Sequence, residues 1–470
     1  MDRLRQLFAQ WAGEPCRECL ALGAGGSSRR YYRLVGNTHR CIGAVGDNLR
    51  ENNAFFTFTR HFGNKKMPVP ELYLVDDDGV HYLQQDLGDL TLYDLLRQKK
   101  QQGGGFDAEM LAYYRQALSD LDALQRAGKD IDLSCAFPRA AFDRRSILWD
   151  LNYFKYNFLK IADISFDEEL LENDFQRLAD MLLSADTNYF MFRDFQGRNI
   201  MVNDGRLYYI DYQGGRMGAA QYDVASLLYS AKSDLPQAIR NELLQHYVKV
   251  HGDPDFLTHY PHYVLIRILQ TLGAYGYRGL IQRKAYFIQS IPLAINNLRV
   301  LLQDSSIKEY LPELERVLQD LVTNSRWATN GSVNQSTTEQ PLTVTIYSFS
   351  YKLGLPEDTT GNGGGHLFDC RALPNPGRYE QYRAYTGTEQ PVIDFLRQQP
   401  EVDYFLDHTQ AIVEQSINKY LERHFNHLLV AYGCTGGQHR SVYCANQLAQ
   451  RLQEKYPQVI FSVKRYNFAG

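Results

Sequence analysis

The stretch YFMFRDFQGRNIMVNDGRLYYIDYQ, residues 189–213, decides how the rest of the chain is read. An apolar run leads into Asp194, and Asn199 follows five residues later. A second apolar run, the turn Asn203-Asp204-Gly205 and a third apolar run then lead to Asp211. Turn residues between two β-like runs predict a hairpin, which returns Asp211 to the loop that carries Asp194 and Asn199. This is the donor set a phosphotransferase needs. One carboxylate accepts the proton of an attacking hydroxyl, while an amide and a second carboxylate hold Mg²⁺ on the phosphates of ATP.

Outward from this stretch the chain divides by pattern. Residues 1 to about 90 alternate short β-like runs with turns (RRYYRLVG, HRCIGAVG, ELYLVDDDGVHYLQQDLGD), and helical periodicity then dominates to about residue 320. The segment VTNSRWATNGSVNQSTTEQ that begins at residue 322 is polar and buries little apolar surface, so it predicts a linker over residues 322–341. Beyond it, LTVTIYSFSYK and HLLVAYG read as strands. VIDFLRQQ, YFLDHTQAIVEQSINKYLERHF and SVYCANQLAQRLQEK read as helices, an α/β pattern.

Bulk properties bound the function. With 470 residues the chain exceeds one ordinary core, and 50 Lys+Arg against 54 Asp+Glu give it no global attraction to nucleic acid or to a membrane surface. Seven cysteines, an odd number scattered along the chain, argue for a reducing compartment over a disulfide framework. Cys16 and Cys19 have a metal-like spacing but no second pair within reach, so zinc is not expected there. The start MDRLRQLFAQWAGEP reads as a short amphipathic helix and not as a signal peptide, and no run is long enough to span a bilayer. A cytoplasmic location is expected.

The combination RDFQGRNIM…YYIDYQGG with QYDVASLL, together with GAGGSSRRYYRL near the N-terminus, resembles the aminoglycoside phosphotransferase-like kinases. The likeness is to their branch of anomeric kinases acting on N-acetylmuramate and N-acetylglucosamine. It implies an α+β, protein-kinase-like bilobal domain over residues 1–321, with a β-rich N-lobe (about 1–90) and a helical C-lobe (about 91–321). It also implies ATP and Mg²⁺ as cofactors and a small sugar as acceptor. Position by position, Asp194 is the implied general base, and Asn199 and Asp211 are the metal ligands. Gly25, Gly26, Ser27, Ser28 and Arg30 are the implied nucleotide-binding residues, because missing or small side chains let backbone N–H groups approach phosphate oxygens.

Two positions depart from the family pattern. Phe192 stands where a histidine is usual, and HRCIGAVGD has no lysine for the α/β-phosphates. Arg29, Arg30 or Arg33 could supply the missing charge. Asp223 reads as a structural acceptor beneath the loop. Tyr275, Tyr277 and Arg278 read as core residues first and as sugar contacts second.

The second unit, residues 342–470, carries SFSYKLGLP, FDCRALPNP, YTGTEQPVIDFL and GCTGGQHRSV in order. It resembles the C-terminal domain of the RNase adapter protein RapZ, a sugar-phosphate-sensing family. The P-loop unit that usually precedes that domain is missing, since the chain has no GxxxxGK[ST]. Cys434 and Arg440 have the Cys-x₅-Arg spacing of a phosphatase loop, but the same strand, loop and helix N-terminus bind a phosphate whether or not the sulfur attacks it.

The resemblance favours binding, with Cys434, Thr435, Gly436, Gly437, His439 and Arg440 around a phosphate and Asp369, Arg371 and Asn375 facing the sugar. Asp369 and Asp358 are the nearby candidates for the general acid that catalysis would require. A hexosamine phosphate is the expected ligand, and homo-oligomerisation through this unit is allowed. Equal numbers of basic and acidic residues over 342–470 leave no electrostatic footprint for RNA. Two alternatives stay open: a nucleotide-binding pseudokinase that acts through partners, and a bifunctional kinase and Cys-dependent phosphatase.

Overall fold

Short aromatic and β-branched runs separated by Gly, Asn and Asp build an antiparallel sheet at the N-terminus. Its strands are β1 (Glu18–Ala21), β2 (Arg30–Val35), β3 (Arg40–Val45), β4 (Leu72–Val75) and β5 (His81–Gln84), in the order β1-β2-β3-β5-β4. The computed structural model describes residues 1–23, 29–304, 310–324, 327, 341–356, 365–423 and 425–466. Alternation along the strands gives the sheet two apolar faces. Leu34, Cys41 and Leu83 pack with Leu4, Leu7 and Phe8 of α1 (Asp2–Ala12), whereas Ala44 and Tyr82 join Ala54, Phe55, Phe58 and Phe62 of α2 (Leu49–Asn64).

Helix α2 corrects the expectation of β-like structure throughout the first 90 residues. It is sixteen residues long and starts on Asn48, whose side chain accepts the Glu51 N–H. The signal was legible: a capping residue, an acidic residue three positions on, and apolar residues at helical spacing (Phe55, Phe58, Phe62).

After the sheet come α3 (Leu92–Gln101), α4 (Ala108–Ala127), α5 (Arg144–Phe154) and α6 (Glu168–Leu183). Thr91, Asp107, Asp143 and Asp167 cap their first turns by accepting a backbone N–H. The deciding stretch forms strand β6 (Tyr189–Met191) and the expected hairpin, β7 (Ile200–Asn203) with β8 (Arg206–Tyr209). Gly205 takes the left-handed conformation its turn needs (φ 72°). Strand β9 (Arg216–Gly218) returns to pair with β6. Then follow α7 (Gln221–Leu228), α8 (Gln237–His251), α9 (Phe256–Tyr275) and helices Ile291–Asp304 and Pro312–Thr323. One apolar core runs from α2 through these helices. The protein-kinase-like plan is therefore present: an N-terminal sheet, a catalytic-type hairpin and a helical lobe.

The chain clusters into two compact units, Met1–Gln282 with Tyr286–Thr329, and Arg283–Ala285 with Asn330–Gly470. The second unit is α/β. Its four strands β10 (Thr343–Ser350), β11 (Gly365–Asp369), β12 (His427–Cys434) and β13 (Ile460–Arg465) pair in parallel in the order β11-β12-β10-β13. Helices Gln390–Arg397, Pro400–Glu422 and Arg440–Lys455 accompany them. The central strands β10 and β12 are almost fully buried, while β11 and β13 are edge strands with mixed exposure. The two edges escaped the sequence reading because half-exposed strands of five and six residues lack the continuous apolar run of a buried one. Among the described residues, no helix is long and apolar enough to cross a membrane.

Candidate functional site

The first site is set by the sharp turn that follows β6. Asp223 of α7 has no exposed surface, and its carboxylate accepts the backbone N–H groups of Phe192 (2.7 Å) and Arg193 (3.0 Å). Arg193 sits at φ 77°, a conformation costly for a residue with a side chain, and is held there by a bidentate pair with Asp150 of α5 (2.6 and 3.0 Å). Its guanidinium also lies over the rings of Phe142 and Tyr222. Burial raises the Asp223 carboxyl to about 7 despite these donors. Both of these donors belong to the backbone of the turn, so Asp223 shapes the turn that presents the next residue, Asp194. Phe192, in the position of the usual histidine, packs among Phe62, Phe190, Phe195 and Tyr212.

Asp194, Asn199 and Asp211 meet. Asn199 Nδ2 donates to the Asp194 carbonyl (2.8 Å) and to Asp211 Oδ2 (3.1 Å). Asp194 Oδ1 accepts Gln196 Nε2 (3.0 Å) and Arg267 Nη2 of α9 (2.9 Å), and its side chain remains 45% exposed. Enclosure by the cleft pushes the Asp194 carboxyl up, but Arg267, Arg198 and Arg193 outweigh it, so the group sits below its ordinary value and is ionised at neutral pH. Asp211 is shifted the other way. The cleft walls and then the charge on Asp194 raise it, against the pull of Gln213, Arg198 and Arg29. A carboxylate raised by a like-charged neighbour, beside an amide, is a donor set that a divalent cation would relieve.

Asp211 itself has φ 68°, a strained conformation for a non-glycine residue at the mouth of a cleft. The next residue, Tyr212, is fully buried; its hydroxyl lies 2.8 Å from Thr59 Oγ1 on α2, and its ring stacks with Phe55.

Of the three arginines that could replace the missing strand lysine, one points inward. Arg29 is 5% exposed, lies 3.1 Å from the Glu51 carboxylate, reaches Asn52 Oδ1 (3.3 Å) and covers the Phe55 ring. Its charge also reaches Asp211. Arg33 instead pairs with Asp86 and Asp89 (both 2.8 Å). Arg30 is exposed, with Asp47 at 3.8 Å. Arg29 immediately precedes β2, and of the two neighbours it is the one turned into the protein. Gly25, Gly26, Ser27 and Ser28 lie outside the described residues.

Beside Gln196 and Arg198 is a small cavity of about 30 Å³ whose wall includes Tyr93, Lys232, Tyr275 and Tyr286. Tyr275 therefore reaches the site, while Tyr277 is 40% exposed and Arg278 lies over Phe287. The acidic cluster Asp76, Asp78 and His81 lies elsewhere and is internally paired: Arg3 holds Asp76 (2.5 Å) and Asp78 bonds His81 (2.7 Å).

In the second unit, parallel pairing sets Ser350 opposite Cys434 and Asp369 opposite Gly433, so three strands deliver their C-terminal ends to one place. Crevices at such ends are where open α/β sheets take ligands. The loop 434–439 then enters the helix Arg440–Lys455. Ser350 Oγ donates to the Thr435 carbonyl (2.8 Å), Thr435 and Gly436 are exposed, and Gly437 has φ 67°. Cys434 is 3% exposed, with its Sγ 3.2 Å from Ser441 Oγ.

The loop 369–377 packs alongside. Arg440 Nη1 donates to the carbonyls of Arg371 (2.8 Å) and Leu373 (2.9 Å), and its buried Nε has no hydrogen-bond partner among the described residues. Asn375 accepts the Gly377 N–H, and Gly377 abuts the His439 ring. His439 reaches the Tyr382 carbonyl (3.1 Å), and burial holds its pKa below the usual value. The expected residues are therefore gathered at one crevice. Asp369, however, is bound to Arg371, which holds its carboxyl low and makes it a poor general acid. Asp358 lies outside the described residues.

Comparisons with known proteins agree with this division. Residues 342–466 match the RapZ C-terminal domain. Curated relatives include "nucleotide-binding proteins" of Haemophilus ducreyi, 40% identical over 136 residues (29% of this chain, 44% of that protein), and of Acidovorax sp. strain JS42, 43% identical over 115 residues (24% and 38%). The chain spans less than half the length of these relatives. Solved structures that resemble it include a thermostable mutant of an aminoglycoside phosphotransferase in a ternary complex with ADP and hygromycin B (15% identity, 63% of this chain and 99% of that one, TM-score 0.40). Another is a Plasmodium vivax ethanolamine kinase (11% identity, 60% and 82%, TM-score 0.45). Residues 18–260, more than half of the chain, match the model of the phosphotransferase enzyme family, and the chain belongs to that family.

Proposed function

We propose that the first unit is an ATP- and Mg²⁺-dependent kinase that phosphorylates the anomeric hydroxyl of an amino sugar, N-acetylmuramate or N-acetylglucosamine, in the cytoplasm. The observation that carries this reading is the hydrogen-bonded convergence of Asp194, Asn199 and Asp211. Asp194, ionised and still open to solvent, takes the proton of the attacking hydroxyl, with Gln196 and Arg267 fixing its carboxylate. Asp211 and the Asn199 amide would hold the cation, which would supply positive charge against the phosphates. Arg29, fixed by Glu51, does for the α/β-phosphates what a lysine of β3 does in other kinases of this type. Incubation with radiolabelled ATP, Mg²⁺ and a panel of hexosamines tests the reading. Transfer of label to an anomeric position is expected, and a panel with no acceptor, together with no ATP hydrolysis, leaves the pseudokinase in its place.

The second unit is read as a binding site for a hexosamine phosphate that regulates the first. The buried Nε of Arg440 is a donor in want of an acceptor, and a phosphate in the 434–439 loop would provide one. A phosphatase role for Cys434 fits less well, because Asp369 is committed to Arg371. If saturating glucosamine 6-phosphate changed neither the kinetics nor the melting temperature, this ligand would be dropped.

A further inference from the structure

The wall of the cleft beside Asp194 is cationic. Arg198 stands at the turn between Asp194 and Asn199, and Lys232 lies just after α7; both line the cavity that contains Gln196, Tyr275 and Tyr286. The Lys232 ammonium is half-buried over the Tyr286 ring. Among the described residues no carboxylate lies within 4 Å of the Lys232 ammonium or the Arg198 guanidinium, though the Arg198 charge reaches Asp194 and Asp211. The nearest catalytic carboxylate, Asp194, already has Arg267 as its partner at 2.9 Å. Burial and then the charge on Arg198 lower the Lys232 pKa to about 8, so the two cations are close enough to repel. Arg198 also feels the charges of Asp194 and Asp211, so Lys232 is the cation without a carboxylate partner, and a half-buried cation of that kind lowers the energy of a site holding an anion.

Resting on the kinase reading above, we propose that this cavity seats an anionic group on the acceptor sugar, a carboxylate or a phosphate monoester. Lys232 and Arg198 are its counter-ions, and at about 30 Å³ the cavity between Tyr93, Tyr275 and Tyr286 takes the charged group alone, with the sugar ring outside it. Such a site rejects the polycationic aminoglycosides and quaternary amines that an acidic acceptor cleft would select. It also distinguishes two sugars alike except for one acid group.

The test compares three acceptors, N-acetylmuramate (carboxylate), N-acetylglucosamine 6-phosphate (phosphate) and neutral N-acetylglucosamine, with the full-length wild type and with Lys232→Met and Lys232→Arg. A charged hydrogen bond is worth about 10- to 150-fold, so one of the two anions should exceed the neutral sugar in kcat/KM by that factor. Which anion wins identifies the group. Lys232→Met should shrink this ratio to within about threefold, and Lys232→Arg should restore part of it. Equal kcat/KM for all three sugars in the wild type, or a ratio untouched by Lys232→Met, overturns the inference and leaves the kinase reading standing. Failure of the kinase reading shows differently, as no transfer to any sugar. Calorimetric binding of the three sugars in the presence of a non-hydrolysable ATP analogue then decides the inference by itself: a Lys232-dependent anion preference upholds it, and its lack overturns it.

Discussion

Truncating Arg29 separates a nucleotide contact from a structural arginine. Its side chain is 3% exposed and Glu51, its partner at 3.1 Å, is 26% exposed. Arg29→Ala leaves the Glu51 carboxylate without its cation. Breaking a fully buried pair costs about 3–5 kcal/mol, but the partial exposure of Glu51 lets water take up part of that loss. A destabilisation of about 1–3 kcal/mol is therefore expected, read as a fall of several degrees in melting temperature. The functional loss is separate. One charge-assisted hydrogen bond to a phosphate is worth about 1.5–3 kcal/mol, so nucleotide affinity should fall about 10- to 150-fold. Calorimetry with ADP and with a non-hydrolysable ATP analogue measures this without knowledge of the acceptor. Arg29→Lys keeps the charge but loses the Nε bond to Asn52, and should fall between wild type and Ala. Glu51→Gln should weaken nucleotide binding less than Arg29→Ala, because the phosphate-binding cation remains. A folded Arg29→Ala protein with nucleotide affinity within twofold of wild type would refute the assignment.

The remaining expectations can be checked with the same protein. Asp194→Asn should lower kcat by about 10²- to 10⁴-fold with nucleotide affinity little changed, and full turnover would remove Asp194 as base. Cys434→Ser should leave kinase activity intact and weaken hexosamine phosphate binding, measured by the ligand-induced rise in melting temperature; loss of a phosphate-release activity in this variant would instead favour the phosphatase. Asp223, raised to about 7 by burial against an ordinary value of 3.8, contributes stability that is complete below the unfolded value and lost as pH rises through 7. Melting temperatures between pH 4.5 and 8 should therefore slope downward with pH more steeply in wild type than in Asp223→Asn.

The loop proposed as catalytic was legible because its residues are local. Asp194, Asn199 and Asp211 flank one hairpin, and the turn that closes it is written in three residues. The buried strands β10 and β12 were legible for a similar reason, since a continuous apolar run between turn residues has few other readings. What stayed hidden depended on distant partners. Arg29 and Arg30 are equivalent in composition, and the one turned inward is held there by Glu51, twenty-two residues away. Lys232 carries no signal of its own. Its meaning comes from Arg198 and Tyr286, delivered by other elements to the same cavity. Arg440 shows the opposite case: its spacing from Cys434 suggested a phosphatase, and its bonds to the carbonyls of Arg371 and Leu373 tie it to a neighbouring loop.

Helix α2 carries two attachments on one rigid body. Glu51 in its first turn grips Arg29, and Thr59, about 12 Å further along the axis, holds the hydroxyl of Tyr212 next to Asp211. Phe55 between them touches both the Arg29 guanidinium and the Tyr212 ring. A tilt of this helix therefore moves the cation on one side of the cleft and the carboxylate on the other together. Two ligands that share a lever share its free energy, so metal and nucleotide should each tighten the other by the same factor, whichever arrives first.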